Sequence, residues 1–168
     1  MKVEVFEIGG ERVAPGETRR LDLPVARLPT QQMLSLPVKV LHGSRPGPRL
    51  WLSAAIHGDE VNGVEIIRRV LDAVRPEELA GTVVAVPIVN VFGFVQQSRY
   101  LPDRRDLNRS FPGSRRGSLA ARLARLFLTE VVERCSHGID LHTGSLHRSN
   151  LPQVRGDLDD PETRRCAE

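Results

Sequence analysis

The chain has 168 residues, 40% hydrophobic and 27% charged, which describes one folded domain and excludes a disordered tail or a fibrous repeat. Lys and Arg number 24 against 21 Asp and Glu, but the excess is scattered arginine and only 4% of residues are aromatic, so the sequence offers nucleic acid neither a basic run nor a stacking platform. Leu50 to Ile56, the longest apolar run, is too short for a bilayer, Glu4, Glu7 and Glu11 interrupt any signal-peptide core, and Cys135 and Cys166 lack metal-ligand spacing; these features predict a soluble, cytoplasmic protein with reduced thiols and no membrane partner.

In chain order, residues 1–45 read as an N-terminal β segment. Short alternating stretches at Val3 to Ile8 and Pro37 to Leu41 are separated by Gly9-Gly10 and Pro15-Gly16, as in a small meander or edge strands. Residues 42–48 read as a loop. Leu50 to Ile56 is nearly continuous apolar sequence, expected for a strand buried on both faces. From Glu60 to Val74, apolar residues at Val61, Val64, Ile67, Val70 and Val74 recur every three to four positions and predict a helix. Thr82 to Val89 is a second buried strand, with Pro87 marking an irregularity or an edge. Residues 90–117 form a long polar loop, a length usually retained for function. Ser118 caps a predicted helix running to about Arg134, Gly138 to Leu141 begins a third strand, and Asp160-Pro161 starts a short terminal helix. Strands alternating with helices predict an α/β fold with a mixed, largely parallel sheet flanked by helices.

Such sheets place their sites in the loops at the carboxyl ends of the strands. His57-Gly58-Asp59-Glu60 follows the first buried strand, and a His and a Glu three residues apart at a strand-to-helix junction can face one ion. Asp140-Leu141-His142 ends the third strand. Two imidazoles and one carboxylate leave a fourth position for water, the pattern of a catalytic zinc site. Ser98 to Arg109 is a charged loop whose default reading is solvated surface; beside a metal, its guanidinium and amide groups are suited to grip a carboxylate and to hold an oxyanion. His147 and Arg148 follow the second histidine and suit either further site contacts or the surface.

His57-Gly58-Asp59-Glu60, Asp106-Leu107-Asn108-Arg109 and Asp140-Leu141-His142, in this order and with these gaps, resemble the succinylglutamate desuccinylase/aspartoacylase family of the zinc carboxypeptidase-like superfamily. The resemblance runs from about residue 37 onward and implies a three-layer α/β/α domain over 46–168. It implies one Zn²⁺ per chain on His57, Glu60 and His142, Arg99 polarising the scissile carbonyl, Asn108 and Arg109 gripping the substrate carboxylate, and Asp106 orienting the first histidine. The implied substrate is a small N-acylated amino acid. The family's general base is a glutamate on a later strand. After His142 the chain offers Glu162 and Glu168, neither in a matching context, so no base is assigned and the expectation is a C-terminally truncated form with impaired proton transfer. Alternatives are a zinc carboxypeptidase or peptide amidase, and a non-catalytic zinc- and carboxylate-binding module; self-association into a homo-oligomer is left open.

Overall fold

The computed structural model describes residues 3–28, 31–146 and 148–168. A hairpin of β1 (Phe6–Ile8) and β2 (Glu11–Val13) turns through Gly9 and Gly10. The other strands are β3 (Thr18–Arg27), β4 (Met33–His42), β5 (Arg45–Ala54), β6 (Ala80–Val86) and β7 (His137–Leu141). They form one mixed sheet in the order β3-β4-β6-β5-β7. β5 runs parallel to both β6 and β7, while β4 is antiparallel to β3 and β6. The N-terminal segment therefore does more than make a meander, because its two long strands are the antiparallel half of the main sheet.

Helices cover both faces. α1 (Asn62–Ala73) lays Val64, Ile67 and Leu71 on Leu52, Ala54, Val83 and Ala85. Val61 and Val70, read from spacing as part of this stripe, face solvent. α1 begins two residues later than its pattern suggests, with Val61 at the cap position and no side-chain cap. On the opposite face, α3 (Leu119–Glu130) packs Ala120, Leu123, Ala124 and Phe127 with Leu36, Val38, Val40, Val84 and Val86, and the β1–β2 hairpin adds Phe6, Ile8 and Val13 to that core. Ser118 caps α3 as expected, its hydroxyl accepting from the Ala121 N–H at 3.1 Å. α3 stops at Glu130, and Val132–Arg134 form a separate 3-10 turn.

β6 ends at Val86, immediately before Pro87, which has no N–H for the ladder. The long polar segment is not all loop. Asn90 caps a short helix, α2 (Val91–Gln96), by accepting from the Gly93 N–H at 2.8 Å, and Leu107–Arg109 make a 3-10 turn. The last element, α4 (Pro161–Ala167), is capped by Asp160 as its sequence predicts. Among the described residues no helix is long and apolar enough to cross a membrane.

Candidate metal centre

β5 and β7 are parallel neighbours, so the segments that leave their carboxyl ends emerge side by side. Pairing of Ser53 with Asp140 and of Ala54 with Leu141 brings the residues that follow, His57 to Glu60 and His142 to Leu146, onto one another. β5 breaks at Ala55, a buried alanine with φ of +49°, and the chain turns back over the sheet. Gly58 is needed where this turn meets α2. A Cβ there would lie 1.9 Å from the Gly93 carbonyl carbon and 2.2 Å from the Phe94 nitrogen.

His57, Glu60 and His142 each present one potential ligand atom, all within 4.8 Å of one another. His57 and Glu60 are 3% exposed, whereas the His142 side chain stands at the solvent edge, 34% exposed. Both imidazoles turn Nδ1 toward Glu60, His57 at 2.8 Å from Oε1 and His142 at 3.1 Å from Oε2. Both engage a carboxylate through Nε2, His57 with Asp106 Oδ1 at 3.2 Å and His142 with Asp140 Oδ2. That arrangement fixes each ring and leaves its Nδ1 as the inward nitrogen, as outer partners of metal-bound imidazoles do. Asp140 is itself held by the Ser53 hydroxyl at 2.6 Å.

The electrostatics follow from these contacts. Burial alone would raise the Glu60 carboxyl, but hydrogen bonds from His142, His57, the Thr143 N–H and Ser145 outweigh it and hold the group well below the usual carboxylate range. Hydrogen bonds to Asp140 and Glu60 outweigh burial at His142 and raise it to about 10. At Asp106, burial is opposed by the Arg99 hydrogen bonds, nearby His57 and the Asn108 N–H, which together lower its pKa.

Arg99 lies beside these three residues, not in open solvent. Its Nε and one terminal nitrogen donate to Asp106 Oδ2 at 3.1 and 2.9 Å, and its other terminal nitrogen donates to Ser145 Oγ at 2.8 Å. The Asn90 side chain donates to the Arg99 carbonyl at 3.3 Å, so the cap of α2 also fixes where this arginine leaves the backbone. Asp106 caps the 3-10 turn that carries Asn108 and Arg109, accepting from the Asn108 N–H at 2.9 Å. Asn108 is half-buried there and Arg109 is exposed.

The structure brings together His57, Glu60, His142, Asp106 and Arg99, the residues that the motifs single out, and adds several partners that motif reading passes over. Ser145 is 1% exposed and bonds both Glu60 and Arg99. Asp59 accepts from the Leu146 N–H at 3.1 Å and ties the two site loops together. Asn90 is fully buried. Ser145 and Asn90 carry no spacing signal, and Asp59, though inside the first motif, gains its role only once the loops meet. His147 lies outside the described residues; Arg148 is exposed and its Nε donates to the Ser145 carbonyl at 3.0 Å. Glu162 bonds His137 at the far end of β7, roughly 16 Å of strand away from His142. Asp157 and Asp160 accept from backbone N–H groups of the terminal turn and helix.

Comparison with known proteins gives the family. The chain is 33% identical over 134 residues to the N-alpha-acetyl-L-2,4-diaminobutyric acid deacetylase of Halomonas elongata, a match covering 79% of the chain and 39% of that protein. A crystal structure of a succinylglutamate desuccinylase/aspartoacylase from Rhodobacter sphaeroides superposes with a TM-score of 0.71 at 28% identity, over 76% of this chain and 40% of that one. The product-bound ectoine utilization protein EutE (DoeB) from Ruegeria pomeroyi gives a TM-score of 0.68 at 29% identity, with the same coverage. The chain spans about 40% of the length of these relatives. The family model of the succinylglutamate desuccinylase/aspartoacylase catalytic domain matches residues 46–168, and the chain belongs to that family.

Proposed function

We propose that this chain carries the metal-binding and substrate-positioning part of a zinc-dependent amide hydrolase, one that removes an acyl group from an N-acylated amino acid. The observation that carries the reading is the joining of His57, Glu60 and His142 to Arg99 through shared carboxylate and hydroxyl partners at the ends of β5 and β7. The donor set fits Zn²⁺. Two imidazoles and one carboxylate are the ligands of a catalytic zinc site, and both rings have the outer carboxylate that such ligands require. A buried Glu60 flanked by Asp106 and Asp140 is also an expensive concentration of negative charge, which a dication would offset.

Zinc bound there would supply Lewis acidity toward the amide carbonyl and lower the pKa of a water to about 7. The remaining steps fall to the chain's own groups. Arg99 has five N–H donors, of which three are held by Asp106 and Ser145, leaving two for the scissile carbonyl oxygen. Asn108 and Arg109 grip the substrate's carboxylate, Arg109 through its planar fork. Asp106 keeps His57 in the tautomer whose Nδ1 faces inward while holding Arg99 in plane. The carboxylates at the cluster among the described residues are Asp59, Glu60, Asp106 and Asp140, and each is already engaged by a hydrogen bond. We assign none of them as the base that deprotonates water, a function worth about 10²–10⁴-fold in rate.

The test is metal content followed by turnover. Protein purified without chelators is expected to hold about one zinc per chain, and a screen of N-acyl amino acids beside short peptides is expected to favour the acyl amino acids. Preference for peptides would move the reading to a carboxypeptidase or peptide amidase, and stoichiometric zinc without turnover on either class would leave a binding module. Zinc-free protein that takes up none on titration refutes the metal centre.

A further inference from the structure

We propose that Ser145 is a positioning residue that couples the carbonyl-polarising arginine to the metal ligands; the inference rests on the metal-centre reading above. Ser145 is 1% exposed and sits in the loop after β7, outside the three motifs. Its Oγ accepts from an Arg99 terminal nitrogen at 2.8 Å, so its single proton must point elsewhere. Two acceptors are in range, Glu60 Oε1 at 2.8 Å and Asp59 Oδ1 at 3.4 Å, and the shorter, better placed one is the ligand carboxylate. The hydroxyl thus has one orientation, Arg99 N–H to Ser145 O, Ser145 O–H to Glu60. It bridges the 3.7 Å between Arg99 and Glu60 Oε1, too long for a direct hydrogen bond.

This contact closes a ring. His57 bonds Asp106, Asp106 bonds Arg99, Arg99 bonds Ser145 and Ser145 bonds Glu60, whose Oε1 lies 2.8 Å from His57 Nδ1; with the Nε2 proton given to Asp106, that nitrogen and that oxygen are the two candidate ligand atoms. From Arg99 through Ser145 to Glu60, one bond polarises the next in a partly dry environment. Two consequences follow from closure. Glu60 Oε1 is held at a fixed orientation while Oε2 is held by the Thr143 N–H at 2.8 Å, so the ligand carboxylate cannot rotate. Arg99 is gripped on both edges, by Asp106 and by Ser145, so its two remaining N–H donors keep a set position relative to the ligands. Without the hydroxyl, Glu60 loses a donor and one edge of the guanidinium is left unpaired in a half-buried setting.

The experiment compares zinc affinity, by competition with a chromogenic chelator, and the visible spectrum of the Co²⁺-loaded protein for the unaltered chain, Ser145→Ala and Ser145→Thr. Ser145→Ala is expected to weaken zinc binding by about 10–100-fold and to shift the Co²⁺ bands, as outer-partner changes at metal sites do. Ser145→Thr keeps the hydroxyl and is expected to restore both readouts. If Ser145→Ala does not fold, Ser145→Gly, which also removes the hydroxyl and adds no zinc-binding group, is expected to show the same affinity loss. An Ala or Gly variant with unaltered affinity and spectrum overturns the proposal, as does a Thr variant as impaired as Ala. Failure of the unaltered chain to bind zinc shows before any variant is compared and overturns the metal-centre reading itself, so the two failures are distinguishable.

Discussion

Gly138→Ala probes the contact that seats the ligand-bearing strand. Gly138 pairs directly with Trp51 across β5 and β7, and the indole lies over it: a Cβ built there meets Trp51 Cε2 at 1.9 Å and Nε1 and Cζ2 at 2.2 Å. The ring has little freedom to withdraw, because it packs edge-on against Phe127 of α3 with centroids 5.7 Å apart and planes at 83°. Forcing a methyl into such a contact costs about 1–3 kcal/mol, and tilting the indole off Phe127 costs about 0.5–1.5 kcal/mol more. Replacing a strand glycine returns about 0.5–1 kcal/mol of backbone entropy, so the net expectation is a loss of about 2 kcal/mol. For a domain of this size that lowers the thermal midpoint by roughly 4–8 °C. Circular dichroism melts give the midpoint, and emission from Trp51, the one tryptophan of the chain, reports the tilt directly. In a Trp51→Leu background the methyl finds space and Gly138→Ala should become neutral or mildly stabilising. An equal loss in both backgrounds would refute the steric argument, as would a single variant that melts with the unaltered protein.

His142→Ala removes one of the three proposed ligands and should abolish stoichiometric zinc, whereas His42→Ala, which breaks hydrogen bonds to Thr82 and the Glu4 carbonyl on the other half of the sheet, should lower stability and leave zinc content intact, both read by elemental analysis of folded protein. Asp106→Asn keeps the shape but removes the anion that orients His57 and Arg99, so zinc affinity measured by chelator competition should fall about 10–100-fold; unaltered affinity would remove Asp106 from the site. Burial pushes the Cys135 thiol up from 9.0 to about 11, so at pH 8 only about one in a thousand is thiolate, and iodoacetamide should label exposed Cys166 while sparing Cys135 until urea is added. The same shift has a sign for stability: the unfolded thiol ionises first, so stability is full below pH 9 and declines as pH rises from 9 to 11, which urea midpoints across that range would show.

The parallel half of the fold was legible because its elements state their burial in composition. β5 and β6 are apolar without alternation since helices cover both faces, and α1 and α3 repeat at helical spacing. The antiparallel half was mostly hidden. β3 is an edge strand whose burial alternates with polar residues, and it is interrupted by Pro24 with a register shift beside it. β4 is ten residues long, yet Pro37 and the polar Ser35 and Lys39 leave only Pro37 to Leu41 visible as a strand. The start of β5, Arg45-Pro-Gly-Pro, looks like a loop and pairs with β6 through an irregular register. α2 escaped because six residues are too few to establish a period.

The same division between local and fold-made signals explains the site. His57 and Glu60 are three residues apart and His142 ends a strand, so each announces itself locally, and the one global fact required is that β5 and β7 are parallel neighbours. Asp106 and Arg99 reach the ligands from the polar segment after α2, and their place depends on Asn90, whose side chain both caps α2 and holds the Arg99 carbonyl. That dual contact is why the segment can be long and irregular while its arginine is fixed. The late start of α1 belongs to the same account. Asp59 and Glu60 stand where a helix cap would normally be drawn, but Asp59 is committed to the Leu146 N–H and Glu60 to both histidines, the Thr143 N–H and Ser145. The helix therefore begins at Asn62 with no side-chain cap, forgoing a contribution of about 1 kcal/mol. A carboxylate pair withheld from the nearest helix terminus, Glu60 turned toward two imidazoles and Asp59 toward the facing loop, is the local conflict expected where a sequence serves chemistry ahead of stability.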